Sequence, residues 1–240
     1  MTSVLFGQVT RALDDDLIGR LEDHHSLFRQ TFPNQWSAIP EADQRKLARA
    51  VNLAVSDFDS AGKKTTFLAE WDTVESYSFR DTEFWIARTS RVHVTLKEHA
   101  SPWLVFLEGG GASWVVAGRI SKVLFDTPRG IHQFEFPSDL LKTLLIEDSR
   151  GERYMWWRGV EGEVDGALRG PNLPRGKGLR DRFDKAGHPY FAKFESKTLN
   201  KQVAISCKKG SISGANLTAT EAIGYFEKKV LPGLTISSTR

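Results

Sequence analysis

A series of short segments rich in aromatic and β-branched residues, between residues 64 and 136, constrains the fold more than any other feature. In residues 91–97, apolar Val92, Val94 and Leu96 alternate with polar residues, which is the two-residue period of a strand with one buried face. Such strands, joined by short turns, are typical of an antiparallel sheet. The predicted strands are 64–71, 83–88, 91–97, 103–108, 113–118 and 131–136.

Two segments ahead of these strands have the apolar spacing of amphipathic helices. The first, residues 12–32, repeats apolar side chains at Leu13, Leu17, Leu21 and Phe28. The second begins near Pro40 and repeats them at Leu47, Val51, Val55 and Phe58. Acidic residues at the start of each segment suit the positive end of a helix dipole. We therefore expect a helical hairpin at the N-terminus.

The last third of the chain has a different order of elements. Leucines at helical spacing predict a helix over 138–147, and a second helix is expected over 218–229. The predicted strands there are 153–158, 162–168, 202–208 and 234–237. The order is α-β-β-β-α-β, with a Gly/Pro/Arg-rich insertion after the second strand. The sequence thus predicts an α+β protein: a helical hairpin and antiparallel sheet in 1–130, then an α/β core in 131–240.

Charge is unevenly distributed along the chain. The whole sequence carries a net charge of +3, but residues 166–210 hold eleven basic residues against three acidic ones, which leaves the remainder at −5. A local basic field concentrates polyanions and releases their counterions on binding. The expected partner is a nucleic acid.

Two strands of the last third carry polar residues at strand spacing. Glu163 and Asp165 are two residues apart, as are Ser206 and Lys208, so each pair shares one face of its strand. Two neighbouring carboxylates repel, and Mg²⁺ offsets that repulsion while leaving positions for water and substrate phosphate. A nearby lysine stabilises the negative charge of a phosphoryl transition state.

The element order together with these residues resembles the PD-(D/E)XK nuclease superfamily, over residues 138–240. The resemblance implies that Asp165 and Glu163 hold a catalytic Mg²⁺ or Mn²⁺ and that Lys208 orients water or stabilises charge. It also assigns a metal-ligand role to the backbone carbonyl of Cys207.

The sequence departs from the family pattern at two places. Ser206 occupies the position of the second carboxylate, and no proline precedes Asp165. The missing acid could come from a neighbouring carboxylate, for which the candidates are Glu163, Glu161 and Glu147. An alternative pairing uses Glu195 and Lys197, which form a literal E-x-K about thirty residues after Asp165.

The resemblance implies an endonuclease that hydrolyses phosphodiester bonds of DNA, in restriction or another defence role. The basic insertion would hold the strand through Arg169, Arg175, Lys177, Arg180 and Arg182, and residues 1–130 would select the target. A homodimer is expected if both strands of a duplex are cut. Two other interpretations stay open: a catalytically inactive nucleic-acid-binding protein and a protein-interaction module.

Other sequence features bear on location. The apolar runs are far shorter than the roughly 20 residues needed to cross a bilayer, so no membrane partner is expected. The N-terminus has no basic region followed by a long apolar stretch, and the single cysteine cannot form an internal disulfide. The expected location is the cytoplasm.

Overall fold

The computed structural model describes residues 2–99, 103–109, 114–160, 165–170, 173 and 178–234. The chain divides into two compact units. The first unit combines residues 1–7 with residues 133–237, and the second consists mainly of residues 8–132. The N-terminal strand therefore belongs mostly to the same unit as the C-terminal third.

The described residues form twelve strands and eight α-helices. The strands are β1 (Thr2–Val9), β2 (His25–Leu27), β3 (Val51–Ala61), β4 (Lys64–Phe79), β5 (Thr82–Glu98), β6 (Trp103–Glu108), β7 (Ile131–Gln133), β8 (Ser149–Arg158), β9 (Gly166–Arg169), β10 (His188–Ser196), β11 (Lys201–Ser206) and β12 (Ser211–Gly214). The helices are α1 (Asp15–Gly19), α2 (Phe28–Thr31), α3 (Pro33–Ser37), α4 (Glu41–Leu47), α5 (Trp114–Phe125), α6 (Ser138–Asp148), α7 (Gly178–Ala186) and α8 (Ala219–Tyr225). A π-helical turn (Phe226–Val230) and a 3-10 turn (Leu231–Gly233) follow α8.

The predicted N-terminal helical hairpin is wrong. The first segment forms two short helices, α1 and α2, and between them the chain takes a left-handed conformation at Asp23 (φ 52°) and enters β2. The second segment is helical only through α4, because residues from Val51 onward pair as β3 with both β2 and β4. Apolar spacing permits a helix at these positions, but pairing with two neighbouring strands satisfies the same backbone groups and buries Leu53 and Val55.

The sheet of the second unit confirms the predicted alternation. Its strands are antiparallel neighbours in the order β2-β3-β4-β5-β6. β4 and β5 form one long hairpin, with partners running from Lys64↔Lys97 to Phe79↔Thr82. Val92, Val94 and Leu96 are buried on one face, as their spacing predicts.

The strand predicted at 113–118 is wrong, since α5 begins at Trp114. Its buried residues Val116, Ile120 and Leu124 recur every four positions. This helical period extends beyond the six residues on which the strand prediction rests. The period becomes visible only when a longer stretch of sequence is compared with a helical repeat.

The predicted α-β-β-β-α-β core is also wrong. In the first unit the strands are antiparallel in the order β1-β12-β11-β10-β8-β9. The predicted helix over 138–147 and strand over 153–158 are present as α6 and β8. The insertion, however, contains α7 and β10, and β12 follows the strand that was predicted to lead directly into the last helix. The Gly, Pro and charged residues of this region give no clear apolar period for these elements. The strands β10 and β12 are stabilised by pairing with strands that are distant in the sequence. The last predicted strand, 234–237, lies almost wholly outside the described residues.

One face of this first-unit sheet is covered by helices and is called the closed face. Inward-facing Val203, Ile205 and Phe194 are at most 1% exposed, and leucines of α6 are buried with them. Phe226, after α8, stacks on Phe6 of β1 with ring centroids 4.2 Å apart. Burial of this apolar surface holds the helices on the sheet. The opposite face carries the alternate residues of the same strands and is called the open face.

None of the helices in the described parts of the chain is both long enough and apolar enough to cross a membrane.

Candidate functional site

The predicted metal site is only partly within the described residues. Asp165 is exposed and directly precedes β9. Glu161 and Glu163 lie outside the residues that the structure describes. The Asp165 carboxylate interacts with the hydroxyl of Tyr190 on β10. Burial of that hydroxyl raises the pKa of Tyr190, and the Asp165 carboxylate raises it further, so the phenol stays protonated at neutral pH.

The structure does not make the two motif strands neighbours. β11 ends at Ser206, and β8 and β10 lie between it and β9. Three interstrand spacings place β9 and β11 about 14 Å apart. Tyr190 lies between them, because it contacts Asp165 and lines a cavity of about 260 Å³ together with Lys208. The two residues are thus on one side of the unit, but the predicted strand pairing is absent.

Lys208 lies in the tight turn between β11 and β12. Gly210 closes this turn with a φ of +49°, and a Cβ at this position would lie 2.0 Å from the carbonyl oxygen of Phe134. Only glycine fits this conformation and this close approach. The turn holds Lys208 and Lys209 exposed beside the open face.

Cys207 is held by the fold in a way that does not favour metal binding. Its carbonyl oxygen accepts hydrogen bonds from the amides of Phe136 (3.0 Å) and Gly210 (3.1 Å). A carbonyl oxygen has two lone pairs, and both are engaged here. Burial raises the pKa of the thiol to about 12, so the sulfur is not a thiolate at neutral pH.

The alternative E-x-K pair lies at the other end of β10 from Asp165. The Glu195 carboxylate is 3.7 Å from Arg150, and the Lys197 ammonium donates to the carbonyl of Glu147 at 2.9 Å. Glu195 is five residues from Tyr190, or about 17 Å along an extended strand. These residues form a separate cluster from Asp165 and Lys208.

Sequence reasoning missed Asp148, a buried carboxylate of the first unit that accepts four hydrogen bonds. One of its oxygens accepts from Ser196 (2.5 Å) and Tyr225 (2.8 Å), and the other accepts twice from Thr198. Asp148 is 2% exposed. It joins α6, the end of β10 and α8, so its role is structural. Within the described ranges, no three His, Cys, Asp or Glu side chains are grouped as a metal site would require.

The five predicted phosphate-binding residues differ in exposure and in whether the structure describes them. Arg169 and Arg182 are exposed on β9 and α7. Arg180 is buried, where it pairs with Asp184 at 2.5 Å, lies 3.8 Å from Glu152 and stacks over a tryptophan ring. Its charge is already neutralised inside the protein, which does not favour phosphate binding. Arg175 and Lys177 lie outside the described residues.

Two of the three β-bulges between β8 and β10 shape the open face, and the third makes Arg150 an extra residue near the start of β8. On β8, partners shift between Tyr154 and Glu152, so Arg153 is the extra residue. On β10, partners shift between Pro189 and Phe191, so Tyr190 is the extra residue. A bulge turns an additional side chain toward one face and is common near functional sites. Here both extra side chains join the open face, beside the regularly spaced residues.

Four aromatic rings cluster on the open face. Trp156 has ring centroids 5.8 Å from Tyr154, 5.8 Å from Tyr190 and 6.2 Å from Phe191. Arg158 lies over the ring of Tyr190, 4.6 Å from its centroid. Trp156 is 39% exposed, so part of its ring system is accessible to a ligand.

Basic residues surround this aromatic cluster. The four rings line one cavity of about 510 Å³. A second cavity, of about 570 Å³, shares Tyr154 as a lining residue. The cationic side chains that line them are Arg153, Arg158, Arg169, Lys193, Lys208 and Lys209. No acidic residue is among the described residues that line either cavity. The two-residue period of the strand shows that Trp156 and Trp157 point to opposite faces, but it does not show which of them faces outward.

A scan against protein-family models gives no match for this chain, and a search of curated proteins gives none either. The geometry of the open face is therefore what indicates a function for this chain.

Proposed function

We propose that the open face of the first unit binds single-stranded nucleic acid. The observation that carries the proposal is the pair of β-bulges, which place Arg153 and Tyr190 on the same face as the other aromatic and cationic side chains. The closed face of the same strands packs against helices, so the open face is the one available to a large ligand.

Base stacking supplies the first part of the binding energy. An aromatic side chain contributes about 1–3 kcal/mol per stacked base, with little dependence on which base it is. The accessible ring of Trp156, supported by Tyr154 and Phe191, provides such a platform. Bases in a duplex are already stacked and paired, which is why the proposal specifies a single strand.

Electrostatics supply the second part. Six cationic side chains and no acidic one line the two cavities, among the residues described. Each phosphate that a single strand neutralises on binding contributes a slope of about −0.7 to the plot of log affinity against log salt. The proposal therefore expects binding that weakens with salt but does not depend on sequence.

The nuclease activity and its Mg²⁺ or Mn²⁺ requirement stay predictions. Asp165 is close to the open face through Tyr190. The carboxylates that would complete the metal site, Glu161 and Glu163, lie outside the described residues. The preference for DNA, the defence role and the homodimer are likewise predictions from the sequence resemblance.

The test is fluorescence anisotropy with one labelled sequence as single-stranded DNA, single-stranded RNA and duplex, at several salt concentrations. The Trp156→Ala variant is expected to bind single strands about 5- to 150-fold more weakly, which corresponds to one lost stack. Lys193→Ala should make the salt slope less steep by about 0.7, through the loss of one phosphate contact. Phe79→Ala is the matched control, because Phe79 is an exposed aromatic on β4 of the second unit.

Three outcomes would decide between the interpretations. Equal affinity of Trp156→Ala and the parent protein would overturn the proposal. Weak binding that favours no strand type and disappears at moderate salt would instead support the protein-interaction module. Metal-dependent cleavage that Asp165→Asn abolishes would establish the nuclease prediction, with the open face as its substrate-binding surface.

A further inference from the structure

We infer that the cavity beside the Arg153 bulge binds the terminal phosphate of the strand, so that the protein recognises a phosphorylated end. This inference rests on the proposed function. The cavity is lined by Arg153, Tyr154, Arg169, Gly170, Lys193 and Gln202. The sheet register places Arg169, Tyr154 and Lys193 side by side on three adjacent strands.

Arg153 is oriented without being neutralised. With the Gln202 side-chain oxygen turned toward Arg153, that oxygen accepts from Nε at 3.1 Å and from Nη1 at 2.8 Å. A guanidinium has five N–H groups, so three remain after these two bonds. Because the partner is a neutral amide, the full positive charge of Arg153 remains for a ligand.

The charge of the cavity suits a phosphomonoester better than a phosphodiester. Each internal phosphate of a strand carries one negative charge. A terminal phosphate carries about −1.5 to −2 at pH 7, because its second pKa is about 6, and it presents three strong acceptor oxygens. Three cations around one cavity match the charge and the acceptors of the terminal group.

The surroundings of the cavity also favour an end. Beyond β9 the amides of Gly170 and Leu173 continue the antiparallel pairing with β8, donating to the Arg153 carbonyl at 3.0 Å and to the Glu152 carbonyl at 2.8 Å. Gly170 lines the cavity beside Arg169. On β10, the next outward residue beyond Lys193 is Glu195, whose carboxylate lies 3.7 Å from Arg150 and offers no positive charge to a further phosphate. A nucleic-acid strand that extends from Trp156 along β10 therefore meets the last outward cation of β10, Lys193, at this cavity.

The experiment compares three unlabelled oligonucleotides of one sequence as competitors in the anisotropy assay. They carry a 5′-phosphate, a 3′-phosphate or hydroxyls at both ends. One phosphorylated oligonucleotide is expected to bind about tenfold more tightly than the hydroxyl form, as expected for added charge-assisted hydrogen bonds. The preference should increase between pH 5.5 and pH 7.5, as the terminal phosphate loses its second proton.

Substitutions of cavity residues test whether the preference for a phosphorylated end arises at this cavity. Arg169→Ala and Lys193→Ala should reduce the tenfold preference to about twofold or less. Arg150→Ala should retain it, because Arg150 is an exposed arginine of β8 that contacts Glu195 and Asn200 and is not among the described residues that line the cavity. Unfolding curves verify that each variant is folded.

Equal affinity for the three oligonucleotides at every pH would overturn the inference, while a continued dependence on Trp156 would leave the proposed function intact. A preference that survives both cavity substitutions would also overturn it. If no oligonucleotide binds the parent protein, the proposed function itself fails.

Discussion

Trp156 and Trp157 are adjacent in the sequence and lie in opposite environments. Trp157 is on the closed face and fully buried, where its indole nitrogen donates to Asp184 at 3.0 Å and its ring meets Phe183 edge-on. Trp156 is on the open face, 39% exposed and surrounded by three other aromatic rings. The pair shows that one strand serves two purposes, since the closed face stabilises the unit and the open face is left for a ligand.

The difference follows from the pleat of the strand. Successive side chains point to opposite faces, so the helices can cover only every second residue. Burial of an aromatic side chain of this size contributes several kcal/mol, which the folded state needs. Aromatic residues that stay exposed contribute less to stability and are informative about binding.

The largest expected effect is that of Trp157→Ala. Removal of this buried ring should lower the free energy of unfolding by about 3–5 kcal/mol, because it leaves a cavity and removes one of the hydrogen-bond donors to Asp184. Urea unfolding followed by circular dichroism measures the change. A loss below about 1 kcal/mol would contradict the assignment of Trp157 to the packed face.

A smaller effect is expected for Asp148→Asn, which tests the polar bonds beneath the closed face. Burial alone would raise the pKa of Asp148, but hydrogen bonds from Ser196, Thr198 and Tyr225 lower it below its usual value of 3.8. The stabilisation is thus present above pH 3.8 and is lost as the pH falls through the lower folded-state pKa. The variant should lose about 2–3 kcal/mol at pH 7.

The acid dependence provides a second readout for Asp148. Since asparagine does not titrate, the variant should lose less stability than the parent as the pH falls below about 4. Asp139→Asn is the matched control, because Asp139 lies on the same helix with an exposed carboxylate. If both variants lose acid dependence equally, the buried hydrogen bonds are not its source.

The smallest expected effect on stability is that of Trp156→Ala. The ring is 39% exposed and its ring contacts lie on the open face, so the free energy of unfolding should change by about 1 kcal/mol or less. The same urea titration as for Trp157→Ala provides the comparison. If Trp156→Ala and Trp157→Ala lower the free energy of unfolding equally, the assignment of Trp156 to the open face and Trp157 to the closed face is contradicted.

The structure separates the two strands of the predicted site, for reasons visible in single residues. Asp165 and Lys208 each have the residue type and strand spacing that the metal-site prediction requires. The prediction assumed that their strands pair, and the structure inserts β8 and β10 between them. The positive charge of Arg180 predicts a phosphate-binding residue. In the structure, this side chain is buried and pairs with Asp184. The bulges at Arg153 and Tyr190 have no sequence period and could not be predicted.

The sequence by itself determined the local features: the alternating faces of residues 91–97, the strand at 153–158, the helix at 138–147 and the basic bias of the last third. These depend on side-chain period and composition, which act over a few residues. Only the tertiary structure decided that Val51–Ala61 is a strand, that β10 separates β8 from β11, and that Trp156 rather than Trp157 faces outward. Such outcomes depend on which distant strands supply hydrogen-bond partners and where helices bury one face, and neither choice is encoded in a short stretch of sequence.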